Sequence, residues 1–325
     1  MKVIHARFTA GCSAVAVAIT ATTVGVLGAR QVYDVEAHLG AAQTAAGEHH
    51  TRLFEYLCDL DPTVESAAPP AAARMPEWHA APAKVFDNLY FLGTRSLNSW
   101  AVTTSGGIIV IDPLYDRHVQ GAIIDGLTTL GLDPTDISDV LVSHGHGDHY
   151  GGARRLQQAY GATVLLSAAD WDLMLANDRP EPKPVRDQVV VDGQRLTVGD
   201  TGLTLTLTPG HTPGTISTLI PVRDGGRSHV AAIWGGTAMR PTEAFYSEYA
   251  ASARKFADAA SAAGADVVIS NHDIFDDAHR KMATLAGRGP DDPHPFVIGA
   301  DATIKYLDVV QHCAAAGLAR LEAGR

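Results

Sequence analysis

Beyond its first eighty residues, the chain alternates short apolar runs with turn residues and amphipathic stretches. Phe86 to Gly93, Trp100 to Thr104 and Gly107 to Asp112 read as three consecutive strands. After Asp112 the pattern changes to helix–strand alternation: a strand at Val140–Ser143, a helix over Gly152–Tyr160, a strand at Thr163–Ser167 and a helix over Ala168–Asn177. Leu203-Thr204-Leu205-Thr206-Leu207 alternates strictly, as a strand with one buried face does. Further strands follow at Ile216–Val222, Val230–Trp234 and Asp266–Ser270. Between the last two, Phe245, Tyr249, Ala253, Phe256, Ala260 and Ala263 recur at helical spacing. A closing helix shows the same spacing through Ile304, Leu307, Val310, Ala314, Leu318 and Leu321. Strands in two blocks with helices outside both predict an α/β fold of four layers, αββα, although periodicity alone does not select it over other α/β folds.

The N-terminal part reads differently. Lys2 and Arg7 precede an apolar run from Phe8 to Ala29, so residues 1–29 read as a secretory signal, or as an anchor if uncleaved. Export to the periplasm or beyond is the expectation, with membrane attachment only in the uncleaved case. Residues 30–83 read as a helical extension followed by an Ala/Pro-rich linker, and residues 84–325 as the main domain. At 325 residues and 46% hydrophobic, the chain can bury a substantial core in one large domain. The formal net charge of -11, with no dense Lys/Arg run, argues against nucleic acid and for a small-molecule substrate. Oligomeric state is not legible. Without the first segment only Cys58 and Cys313 remain, an even count that favours a disulfide over two separate buried thiols in an oxidising compartment.

The chemistry concentrates in Ser143-His144-Gly145-His146-Gly147-Asp148-His149, between a buried strand and a helix. His144 and His146, separated by a glycine that permits a tight turn, can aim two imidazoles at one metal, while Asp148 and His149 can reach a second. Such ligands suit zinc, and also iron or manganese. Two more histidines end strands: His211 in Pro209-Gly210-His211-Thr212-Pro213-Gly214, and His272 in Ser270-Asn271-His272-Asp273.

Together these motifs resemble the metallo-β-lactamase superfamily, whose signature is His-x-His-x-Asp-His followed by a loop His and a terminal His. The resemblance runs from about Lys84 to the C-terminus and implies the four-layer αββα metallo-β-lactamase sandwich. It implies two zinc ions, one held by His144, His146 and His211, the other by Asp148, His149 and His272. Asp112 matches a position that supports the site from behind its ligands; as a residue it can equally be a turn starter before Pro113.

One position separates the subgroups. Glyoxalase II and acylhomoserine-type lactonases place a metal-bridging Asp after the strand that follows the His-Thr-Pro-Gly loop, where this chain has Thr237 in Ile233-Trp234-Gly235-Gly236-Thr237. The chain is therefore most similar to the His-rich, di-zinc third subclass of metallo-β-lactamases, which carries Ser there. The resemblance implies opening of a cyclic amide by a metal-bound hydroxide, with Asp148 as ligand and orienting base. The alternatives are a lactonase, thioesterase or other esterase of the same fold, or a zinc-binding protein without catalysis. Asn98, Ser99, Trp100, Met239, Arg240 and Phe275 are candidates for the substrate groove, or equally for packing. Arg240 stands where it could hold a substrate carboxylate, or be a solvated charge.

Overall fold

A computed structural model describes residues 35–58 and 78–323, all within the unit Tyr33–Arg325. The apolar segment 1–29 and residues 62–77 of the linker lie outside the described residues. Among the described residues, no helix is long and apolar enough to cross a membrane.

The first sheet runs in chain order: β1 (Ala83–Lys84), β2 (Leu89–Phe91), β3 (Trp100–Thr104), β4 (Gly107–Ile111), β5 (Ile137–Leu141), β6 (Thr163–Ser167) and β7 (Gln188–Val190). Its pairing is antiparallel from β1 to β4 and parallel from β4 to β7. The second sheet holds β8 (Gln194–Val198), β9 (Thr201–Leu207), β10 (Ile216–Asp224), β11 (Arg227–Ile233) and β12 (Val267–Ile269), in the order β12-β11-β10-β9-β8. Only β11 and β12 are parallel there.

The strand period of two sorts the side chains into layers. Along β4, Ile109 and Ile111 point between the sheets, where they join Trp100, Leu141, Leu203, Leu205, Ile220 and Ile233. Ile108 and Val110 point the other way, against Leu127, Leu156, Trp171 and Met174 of the helices on the outer face. On the far side, Leu219, Trp234 and Val268 meet Tyr249 and Phe256 of helix Glu243–Ala262 and Val310 of helix Ala300–Ala323. Three apolar layers separate four layers of backbone, which is the αββα sandwich.

The extension forms two helices, Val35–Ala46 and Thr51–Cys58, that pack on Ala300–Ala323 through Ala42, Ala46, Leu53 and Leu57. Cys58 is bonded to Cys313 of that closing helix, as the cysteine count favours. Some sequence readings differ in extent; the strand expected over Val140–Ser143 lies instead at Ile137–Leu141. The strand expected over Phe86–Gly93 shortens to Leu89–Phe91, because the amides of Val85 and Phe86 both donate to the Leu89 carbonyl and close a turn. The strands β7 and β8 are short and bury only Val190 and Leu196, so little apolar pattern announces them.

Candidate metal centre

Strand direction places the site. Asp112 follows β4 and residues 143–149 follow β5, which run parallel; His211 follows β9, Thr237 follows β11 and His272 follows β12, which also share one direction. Five strands thus deliver their C-terminal ends to one rim, the position where α/β sheets leave room for ligands. Backbone detail brings the loops together. Gly210 has φ +138, a conformation that side chains other than glycine rarely adopt, and it turns the chain so that His211 faces inward. A Cβ on Gly236 would lie 2.4 Å from the His211 Cβ, so only glycine lets this loop pass behind that imidazole.

The six residues singled out by sequence converge in two groups of three: His144, His146 and His211, and Asp148, His149 and His272. In the first, His211 Nε2 lies 3.1 Å from His144 Nε2 and 3.0 Å from His146 Nδ1. In the second, His149 Nε2 lies 3.2 Å from His272 Nε2 and 3.3 Å from Asp148 Oδ2. Metal–nitrogen bonds of about 2.0–2.1 Å in a tetrahedral zinc site set ligand nitrogens roughly 3.3 Å apart, so donor type and spacing both fit zinc.

The opposite ring nitrogens are held by oxygen. His144 Nδ1 donates to the Gly235 carbonyl at 2.9 Å, His211 Nδ1 to the Ala238 carbonyl at 2.7 Å, and His149 Nδ1 to Asp112 Oδ2 at 2.9 Å. Each bond turns the opposite nitrogen, Nε2, toward the site, and in His144 and His211, which burial keeps neutral, its lone pair is free for a cation. Asp112 also accepts from the Ser143 amide and hydroxyl, both at 2.7 Å, and sits in the left-handed region at φ 55. It is a turn residue and a brace for His149 at once.

The family model of the metallo-beta-lactamase superfamily matches residues 92–225, a span that contains four of the six donors and the Thr-Pro-Gly loop with a fifth, His211. Over that span the chain is similar to the metallo-β-lactamase superfamily. The fold resembles a native metallo-β-lactamase of Legionella gormanii (TM-score 0.67, 25% identity, 75% of this chain and 98% of that one). It also resembles a subclass B3 metallo-β-lactamase of Bradyrhizobium japonicum (TM-score 0.64, 26% identity, 77% and 98%). Among curated sequences, a hydroxyacylglutathione hydrolase of Pseudomonas syringae is 32% identical over 140 residues, 43% of this chain and 44% of that protein. One from Pseudomonas savastanoi is 40% identical over 81 residues, 25% and 27%. The chain thus spans less than half the length of these two curated relatives.

The electrostatics of the site follow from burial and crowding. Burial, with the neighbouring imidazoles, lowers His144, holds His146 at about 3 and brings His272 to about 4. His211 also falls to about 4, through burial first and then His149 and Arg240. These rings stay neutral, ready to donate lone pairs. Burial alone would lower His149 too, but the Asp148 and Asp112 carboxylates reverse it and raise it to about 10. Burial would push Asp148 up, yet the imidazoles of His149, His272 and His146 hold it well below the usual carboxylate range.

Thr237 is buried, and its carbonyl accepts from the Tyr249 hydroxyl at 3.0 Å. Most groove candidates are corrected to packing. Asn98, Ser99 and Trp100 are 0% exposed, and Met239 and Phe275 are buried in the helix layer. Asn98 Nδ2 donates to the Ser270 carbonyl at 3.0 Å, as Trp100 Nε1 does at 2.8 Å, so both brace the turn before His272. Arg240 alone of the six is exposed.

Sequence reasoning passed over Asp170. Its carboxylate is buried and accepts from the Gly145 amide (2.8 Å), the Thr212 hydroxyl (2.6 Å) and the Gly214 amide (2.8 Å). It clamps the loop of His144 and His146 to the loop of His211. The signal was present but ambiguous: Ser167-Ala168-Ala169-Asp170 reads as a helix capping box, and Ser167 Oγ does accept from the Asp170 amide. The carboxylate, however, turns outward to the two loops. Asn271 was also passed over; its Nδ2 donates to the Gly235 carbonyl at 2.9 Å, beside the His144 bond.

Proposed function

We propose that this chain is a di-zinc hydrolase that opens a cyclic amide of the β-lactam type. The observation that carries the reading is the convergence of six donors into two three-donor sets with no carboxylate contributed at Thr237. The likeness to subclass B3 enzymes over three quarters of the chain supports it. When bound, two zinc ions supply Lewis acidity and lower the pKa of a shared water to about 7. The residues of the chain do the rest. Asp148, anionic at neutral pH, accepts a hydrogen bond from the attacking water on its free carboxylate edge and orients it. Asp112 and the carbonyls of Gly235 and Ala238 hold three imidazoles in one tautomer, so their geometry does not reorganise during the reaction. Arg240, exposed and near enough to influence His211, pairs with the substrate carboxylate.

A second reading, hydrolysis of a thioester or other ester, is favoured by the matches to hydroxyacylglutathione hydrolases. A hydrolysis screen of zinc-loaded protein against penicillins, cephalosporins, carbapenems, lactones and glutathione thioesters separates the two. Turnover of at least one β-lactam is expected, and Arg240→Ala should raise its KM more than it lowers kcat. No β-lactam turnover beside efficient thioester cleavage would move the assignment to the second reading. Export is part of the proposal, and N-terminal sequencing of protein recovered outside the cytoplasm tests it.

A further inference from the structure

Three of the five imidazoles are fixed through Nδ1 by an oxygen of the fold, whereas among the described residues no such oxygen holds the rings of His146 and His272, and no hydrogen bond reaches the His272 Nδ1. Its backbone is fixed by a bridge to Leu97. Its ring instead meets Phe275 edge-on, with centroids 5.9 Å apart. Phe275 is buried, and its other neighbour is Tyr56, edge-on at 4.9 Å.

Tyr56 belongs to helix Thr51–Cys58, and one turn before it, on the same face, stands Arg52. Arg52 reaches Asp273 at 3.8 Å and bonds Asp277, the two ends of the short turn that His272 opens. Asp277 is itself in the left-handed region, at φ 56. One face of the helix therefore grips the turn carrying His272, while Leu53 and Leu57, on the adjacent face, are buried in the helix layer. The helix ends at Cys58, bonded to Cys313, and Arg320 donates to the Cys58 carbonyl at 3.0 Å.

We propose that helix Thr51–Cys58, fastened by the Cys58–Cys313 disulfide, is the positioning element for His272, acting through Tyr56 and Arg52. Integrity of the bridge then sets the affinity of the Asp148–His149–His272 site and leaves the His144–His146–His211 site untouched. This rests on the dinuclear reading above.

The test is a calorimetric titration of apoprotein with zinc, repeated with cobalt to follow the two sites by absorption. The wild type should bind in two steps. Tyr56→Ala, Arg52→Ala and the Cys58→Ser/Cys313→Ser pair should weaken the second step by roughly ten-fold or more, the scale set by losing a partner behind a metal ligand. The first step should not move. Tyr56→Phe keeps the edge-on ring and should superimpose on the wild type, which a general loss of packing would not produce. If the cysteine pair fails to fold, Tyr56→Ala and Arg52→Ala, at a half-buried and an exposed position, still decide the matter. Folded Tyr56→Ala protein with both steps within two-fold of wild type would overturn the inference while the dinuclear reading stands. A single-step wild-type titration would overturn both.

Discussion

Asp112 shows how much one side chain can hold. It bonds the His149 imidazole and both the amide and hydroxyl of Ser143, and it does so from a left-handed backbone that Asn also tolerates. Asp112→Asn keeps the turn and removes only the charge and one acceptor. It is expected to weaken zinc binding at the His149 site by about 10–100-fold with little change in secondary structure, measured by zinc titration alongside circular dichroism. Asp148→Ala, which removes both a donor and the water-orienting carboxylate, should lower kcat by at least about 100-fold in the proposed reaction, read by steady-state kinetics. The histidines and Asp148 were legible because ligand spacing is a local property of the chain. The bracing carbonyls of Gly235 and Ala238 were not, since every residue has a carbonyl and only the fold selects which ones face an imidazole.

Elements add a second order of constraint, the alignment of loops from distant strands. Asp170, at the start of helix Ala168–Ala176, ties the loop after β5 to the loop after β9. Asp170→Ala would leave the Gly145 and Gly214 amides unpaired in a buried place, with the Thr212 hydroxyl falling back on Thr215, at a cost of roughly 3 kcal/mol. Its melting temperature should fall well below wild type in both apo and zinc-loaded protein, and zinc affinity at the three-histidine site should fall with it. A pH dependence belongs to the contact between the N-terminal helices and the closing helix. His50, buried there, donates to the Ala302 carbonyl at 2.7 Å; burial, with Lys281 and His49 nearby, lowers it from 6.5 to about 4. The folded state thus holds His50 neutral. Its contribution is complete above pH 6.5 and is lost as pH falls toward 4, where the unfolded chain takes up the proton first. His50→Gln should flatten the decline of stability across that window by roughly 3 kcal/mol, measured as the difference between wild-type and variant denaturation curves.

At the scale of the whole molecule, three apolar layers and one long-range covalent bond hold the site in place. Cys58 and Cys313 are 255 residues apart, so opening their bond releases a large loop and should lower stability by about 5 kcal/mol at most. Thermal melts of apoprotein with and without a dithiol reductant, with thiols counted after each, check this: a lower Tm should accompany two additional free thiols. Much of this arrangement was already determined by the sequence. The strict alternation of Leu203–Leu207, the helical spacing from Phe245 to Ala263 and the ligand motif at His144–His149 each depend on neighbours within a few turns of chain. Local pattern reports which face of an element is apolar and which donors share a loop. It cannot report what that face meets. Only the tertiary structure decided that Asn98 and Trp100 brace the Ser270 turn from the interior, that Asp170 joins two ligand loops, and that Tyr56 stands behind His272. Those contacts join residues tens to hundreds of positions apart, and their partners are set by how strand ends and helices stack once the apolar layers have closed.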